Sequence, residues 1–196
     1  MDGGGKDHGT AGGGKRKNII TVGPWGGNGG TSWDDGIFNG IREITLFYGL
    51  CIDSIRVVYD KNGIPFTAEK HGGVGGDQSA EIKLQYPEEF LVSVSGHYCP
   101  FTYHGSPVIR SLTFMSNQRT FEPFGVEEGI PFTFSMDGGQ IVGFKGRSGW
   151  YLDSIGFCLS RRRSTKLLQR VQKACLHMFA SRPSKSSGSK ERPRTA

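Results

Sequence analysis

Long apolar runs are missing from this chain: no stretch of its 196 residues approaches the roughly 18 consecutive apolar residues of a membrane-spanning helix. The amino terminus, Met-Asp-Gly-Gly-Gly-Lys-Asp-His, has no apolar stretch behind a basic one, so no secretory leader is expected. Cysteine is sparse. Cys51, Cys99, Cys158 and Cys175 lie far apart without Cys-x-x-Cys spacing, and in a chain without a leader they read as reduced thiols. Cytosol or nucleus is the expected compartment. Histidine is equally scattered: His8, His71, His97, His104 and His177 show no metal spacing, no metal or cofactor is expected, and His71 reads as a solvated loop residue. Ser/His/Asp or Cys/His sets in a catalytic context are lacking too.

What the chain has in excess is glycine, 31 residues, against an apolar content of only 35%. That combination disfavours a helical globule and suits many short strands joined by glycine turns. Strand periodicity recurs over Ile19–Val22, Ile41–Tyr48, Ser54–Asp60, Glu81–Gln85, Phe90–Val94, Val108–Phe114, Thr120–Phe124, Ile141–Phe144 and Ser154–Leu159. Turn residues such as Lys61-Asn62-Gly63 and Asp137-Gly138-Gly139 separate these runs. Antiparallel strands at this spacing predict an all-β barrel, sandwich or prism. Two glycine loops interrupt them, Gly23 to Gly30 and His71 to Asp77. Trp25 and Trp33 flank the first and are expected to anchor it to a core.

The chain is organised around Gly149-Trp150-Tyr151-Leu152-Asp153, a tight loop between alternating runs, with Gly146 and Gly149 available for positive φ. A short loop offering backbone N–H groups, one carboxylate and an aromatic face suits a polyhydroxylated ring. Vicinal hydroxyls donate to both oxygens of one Asp, ring oxygens accept from N–H groups, and the C–H face of a sugar packs on an aromatic ring. The frame Gly-x-x-x-Asp-Ser-Ile occurs twice, at Gly49–Ile55 and Gly149–Ile155, in the same strand–loop–strand setting both times. That points to an internal repeat of a β unit. A third equivalent, near Gly96-His97-Tyr98-Cys99-Pro100, lacks the Asp and is expected to be silent.

With these residues on the page, the stretch from about 18 to 160 resembles the jacalin-related lectins. The marks are Gly23-Pro-Trp-Gly-Gly27, Gly36-Ile-Phe-Asn-Gly-Ile-Arg-Glu-Ile44, Val108-Ile-Arg-Ser-Leu-Thr-Phe114, Phe121-Glu-Pro-Phe-Gly125, Ile130-Pro-Phe132 and Ile141-Val-Gly-Phe144, closed by Gly149-x-x-x-Asp153. The resemblance implies a β-prism of three four-stranded Greek-key sheets with sugar loops at one end. Carried over residue by residue, it implies a primary carbohydrate site of Gly30, Gly149, Trp150, Tyr151 and Asp153. It also implies a secondary, weaker site of Gly49, Leu50, Asp53 and an N–H from Gly72 or Gly73. Asn28-Gly29-Gly30-Thr31 runs on unbroken where the galactose-binding branch is cleaved, which favours mannose/glucose-type glycans. Trp150-Tyr151 points the other way, towards the galactose branch. Weak single sites imply a homo-oligomer presenting several of them.

The two ends read differently. Residues 1–17 are glycine-rich and polar and read as flexible. Residues 161–196 hold 11 Lys and Arg against Glu191 alone, a net of +10, whereas the other 160 residues hold 13 against 17 acids, a net of −4. Leu167, Leu168, Val171, Ala174, Cys175, Met178 and Phe179 fall at helical spacing, predicting a basic amphipathic helix over about 163–180 and a disordered end after it. Such a tail suits an acidic surface, whether membrane, protein or nucleic acid, and Arg161–Arg163 suits phosphates or nuclear import. Two other functions compete with a non-catalytic lectin. One is a glycosidase using Asp53 and Asp153, which needs the two carboxyls roughly 5–10 Å apart on one sugar, a poor match for loops in separate repeats. The other is a membrane- or nucleic-acid-binding protein driven by the tail.

Overall fold

The computed structural model describes residues 19–162. The glycine-rich start, the basic tail and its expected helix lie outside the described residues. Thirteen strands follow in order: β1 (Ile19–Gly26), β2 (Thr31–Asp34), β3 (Gly40–Tyr48), β4 (Ile52–Lys61), β5 (Ile64–Thr67), β6 (His71–Gly72), β7 (Gln78–Lys83), β8 (Leu91–Pro100), β9 (Pro107–Ser116), β10 (Thr120–Gly125), β11 (Ile130–Ser135), β12 (Gly139–Ser148) and β13 (Leu152–Arg161). They form three antiparallel sheets, ordered β1-β13-β12-β2, β10-β9-β8-β11 and β5-β4-β3-β7, with the two-residue β6 also paired to β4.

Each sheet is a Greek key, three hairpin-connected strands and a fourth that returns beside the first. In two sheets the chain order is plain: β8, β9, β10, then β11 back beside β8, and β3, β4, β5, then β7 back beside β3. The remaining sheet is the same key cut open, with β12 and β13 supplied by the end of the described residues and β1 and β2 by their beginning. Ile19 pairs with Ser160, so the described chain starts and finishes on neighbouring strands.

The registers superpose the three units. Phe144 faces Phe157, Ile44 faces Val57 and Val94 faces Phe114 at equivalent positions of the three central hairpins. All six are buried, as are Ile155, Ile55 and Leu112 two pairs further on. They meet on the prism axis, where Phe144 sits edge-on to Phe157 at 5.5 Å and to Phe114 at 6.4 Å. Burying a side chain of this size contributes about 1.5–3 kcal/mol, so this ring of residues is the main anchor of the fold.

The tryptophans hold the first glycine loop as expected. Trp25 stacks on Phe132 and packs on Phe157, while Trp33 lies flat on His71 at 3.9 Å. His71 is therefore not a solvated loop residue. Its ring is largely covered, and Nε2 meets Asp35 Oδ1 at 2.6 Å. The other oxygen of Asp35 accepts from Tyr59 Oη at 2.6 Å, and Tyr59 Oη accepts from Phe144 N–H, so one buried network joins two sheets. The last basic residues of the unit are structural as well. Arg161 pairs with Gly139 at the end of β13. Arg162 donates to Pro87 O and Gln140 Oε1 and lies over the Phe90 ring at 3.8 Å.

Candidate carbohydrate site

Asp153 and Asp53 are the second residues of β13 and β4, each just past a three-residue hairpin loop. Both loops close the same way: Gly149 N–H donates to Tyr151 O at 3.0 Å, and Gly49 N–H to Cys51 O at 3.0 Å. Neither Gly146 nor Gly149 takes the positive φ expected of it. Gly146 lies inside β12, where a side chain would strike Ser154 O, so it serves close packing and not the turn.

A glycine loop crosses in front of each carboxylate. At Asp153 a Cβ on Gly29 would collide with Oδ1, and one on Gly30 would lie 2.6 Å from Oδ2. At Asp53 the same places belong to Gly75, whose Cβ would collide with Oδ1, and Gly76, whose Cβ would lie 3.2 Å from Oδ2. Gly30 and Gly76 share a positive φ, 56° and 87°, which lets the loop turn over the carboxylate. Gly72 and Gly73 sit earlier in the loop, against main chain: Gly73 N–H donates to Asp53 O, as Gly27 N–H does to Asp153 O. The residues that face the second carboxylate are thus Gly75 and Gly76, not the Gly72–Gly73 pair. A doubled glycine three residues after the first pair, present in both loops, is the sequence signal for them.

Asp153 is only 8% exposed and its Oδ2 has no hydrogen-bond partner, although it is buried. Burial raises its carboxyl above the ordinary range, while the Gly149 N–H and the Arg147 guanidinium pull the other way. Arg147, which sequence reasoning missed, clamps the glycine loop by donating to the carbonyls of Asn28 (3.1 Å), Gly29 (2.8 Å) and Gly30 (2.7 Å). Trp150 next to it is 80% exposed, an aromatic face open to a ligand. Asp53, 6% exposed, is also raised, first by burial and then by the nearby Asp77, an additional carboxylate facing Gly49. A buried carboxylate with an open acceptor, framed by bare backbone, is an arrangement that hydroxyl donors complete.

The third unit departs from this plan. His97 pairs with Ser111 where Arg147 pairs with Ser154 and Phe47 with Ser54, so the residue in the carboxylate position is Arg110. Its glycine loop carries Glu128 in the place of Gly29 and Gly75, since Val126 N–H donates to Arg110 O as Gly27 does to Asp153. Arg110 Nη2 and Glu128 Oε2 meet at 2.8 Å and fill the position. The third equivalent is therefore not at Gly96–Pro100, which is strand β8. Its hairpin loop spans 101–106, and its signature is Arg110-Ser-Leu112 beside the two Asp-Ser-Ile triplets.

Two cavities at this end adjoin Asp53. One, of about 540 Å³, lies between the Gly49 loop and the third sheet, and the other, of about 340 Å³, is lined by Asp53, Val74, Gly75, Trp150 and Tyr151. The Trp150–Tyr151 loop thus lines a cavity at Asp53 as well as preceding Asp153 in the chain. No cluster of metal-binding side chains occurs among the described residues.

Comparison with known proteins agrees with this geometry. The family model described as "Jacalin-like lectin domain" matches residues 22–158. Jacalin-related lectin 19 of Arabidopsis thaliana is 65% identical over 158 residues, covering 80% of this chain and 90% of its own length. A galactose-specific lectin of Morus indica is 43% identical over 152 residues, covering 75% of this chain and 95% of its own. Among solved structures, a mannose-specific jacalin-related lectin from Morus nigra in complex with mannose superposes with a TM-score of 0.70. It is 49% identical, covering 74% of this chain and 97% of that one. Three cyclic Greek keys, two glycine-framed carboxylates and a family match across the whole prism lead to one assignment: the chain belongs to the jacalin-like lectin family.

Proposed function

We propose that the protein is a non-catalytic lectin that binds mannose/glucose-type glycans through Asp153, with Asp53 as a second sugar-binding carboxylate. The observation that carries the reading is the buried, unpartnered Oδ2 of Asp153 beneath the Gly29–Gly30 loop. Hydroxyls of a pyranose supply the missing donors, Gly149, Tyr151 and Gly30 line the ring, and Trp150 offers its face. Gly30 is held within an unbroken peptide whose carbonyls Arg147 binds, so it presents a peptide N–H and not a free amino group. That supports the mannose branch, in keeping with the mannose-specific M. nigra structure, over the galactose branch, to which the M. indica relative belongs. Asp153 and Asp53 stand in separate sheets, each framed by glycines, which supports binding without chemistry. Calorimetric titration with methyl α-mannoside and methyl α-galactoside tests this. Heat from the mannoside, lost in Asp153→Ala, is expected. Preference for the galactoside overturns the assigned specificity, and silence with both overturns the sugar site.

A further inference from the structure

The Arg110–Glu128 pair closes the third site, but Arg110 also reaches into the second. Its Nε donates to Leu50 O at 2.9 Å, fixing the loop that carries Leu50. Its guanidinium lies over the Phe101 ring at 5.6 Å, and Phe101 in turn packs at a tilt on Tyr151 with centroids 5.2 Å apart. One buried cation thus holds the third sheet's loop against the first sheet's loop, across the mouth of the second.

The result is a cavity of about 540 Å³ with two unlike halves. Asp53, Asp77 and Gln78 line one, and Leu50, Phe101, Pro123, Val126 and Tyr151 line the other. One pyranose of 12 heavy atoms needs at most about 360 Å³, taking the ~30 Å³ that liquid water allots each molecule as an upper bound per heavy atom. A single sugar ring at Asp53 therefore leaves the apolar half unfilled. A second sugar fits that half poorly, because its hydroxyls would face apolar side chains and lose bonds to water.

We propose that the second site is composite, taking a glycoside whose sugar binds at Asp53 and whose apolar aglycone lies between Phe101, Pro123, Val126 and Tyr151. The site closed in the third sheet serves here as the aglycone wall of its neighbour. This rests on reading Asp53 as a sugar-binding carboxylate, and the experiment separates the two.

The full-length protein is titrated with methyl α-mannoside and with phenyl α-mannoside. The phenyl compound is expected to bind about tenfold tighter at one of two sites, the gain expected from moving a ring face out of water. Phe101→Ala and Val126→Asn are expected to bring the phenyl-to-methyl ratio close to one. Both residues lie at the surface end of the prism, and a melting curve checks each fold. The preference is expected to survive Asp153→Asn and to vanish in Asp53→Asn. Equal affinity for the two mannosides in the parent protein overturns the composite site while leaving the sugar reading intact. So does a preference that survives Asp53→Asn and disappears in Asp153→Asn, which would assign it to the Trp150 face. Silence with both ligands overturns both readings.

Discussion

Alanine at Gly29 tests the primary site without touching any group that would bond the sugar. Gly29 does not require a positive φ, so its backbone accepts a side chain. The new Cβ would, however, collide with Asp153 Oδ1, and the carboxylate must withdraw by about 1 Å to restore ordinary contact. Charge-assisted hydrogen bonds contribute about 1.5–3 kcal/mol each, and an ångström is enough to break their geometry. A monosaccharide held with a Kd on the order of 1 mM has only about 4 kcal/mol in all. Losing one bond therefore weakens binding by at least about tenfold, and losing both erases it. Gly75→Ala does the same at Asp53. Calorimetry with methyl α-mannoside should count two sugars per chain in the parent, one in each single variant and none in the double. Overpacking costs about 1–3 kcal/mol, so thermal melts should show both variants folded. Parent-like titration by Gly29→Ala would refute the claim that Asp153, in its present position, is the sugar acceptor.

Four further outcomes are expected. Since the carboxyls of Asp53 and Asp153 are both raised and must be ionised to accept, sugar binding should fade on acidification before the ordinary carboxylate range is reached. Asp77→Asn, which removes a like charge, should move the Asp53 limb to lower pH in a titration series. Glu89 behaves oppositely: burial pushes its carboxyl up, but Arg119, the Gln85 N–H and Ser116 outweigh this, and the net is downward. Its contribution to stability is thus present at neutral pH and lost as pH falls below the usual glutamate value towards the depressed one. Glu89→Gln should flatten that part of a plot of melting temperature against pH; an unchanged acid limb would show that other groups set it. Clustered mannose glycans should exceed methyl α-mannoside by about 10²–10⁴ in a binding assay through avidity alone, with little response to salt. Equal affinities would mean that no two sites are reached at once.

The central hairpins were legible because their inward residues alternate, and the observed strands there contain the stretches read from the sequence, except that β8 begins at Leu91, one residue after the expected Phe90, and runs on to Pro100. Four edge elements were not: β2, β5, β6 and β11. β5 and β11 carry Pro65 and Pro131, and β5 is exposed along its whole length, so alternation of burial had nothing to mark. Asp53 and Asp153 were found because a repeated frame is a property of sequence. Gly75 had its signal in the doubled glycines of both loops, whereas Arg147 owes its role to a carbonyl 118 residues away in the chain, which no local pattern encodes. Arg110 is the instructive case. Its Ser-Leu neighbours preserve the repeat, but the eye searches for the acid and passes over the base that replaced it.

The opened Greek key also governs when the molecule is finished. On the ribosome β1 emerges first, yet its partner β13 follows only after Ile19 has waited for Ser160. At 5–20 residues per second that interval is roughly 7–28 s. The strands of the two uninterrupted keys, β3 to β7 and β8 to β11, have all emerged by then, while β1 is still without its partner strand. The first sheet cannot be completed before β12 and β13 have emerged, so Asp153 meets its glycine loop only then. The site proposed at Asp153 thus depends on strands from opposite ends of the described chain, whereas the one proposed at Asp53 is framed within a sheet whose strands, β3 to β7, all emerge before β8.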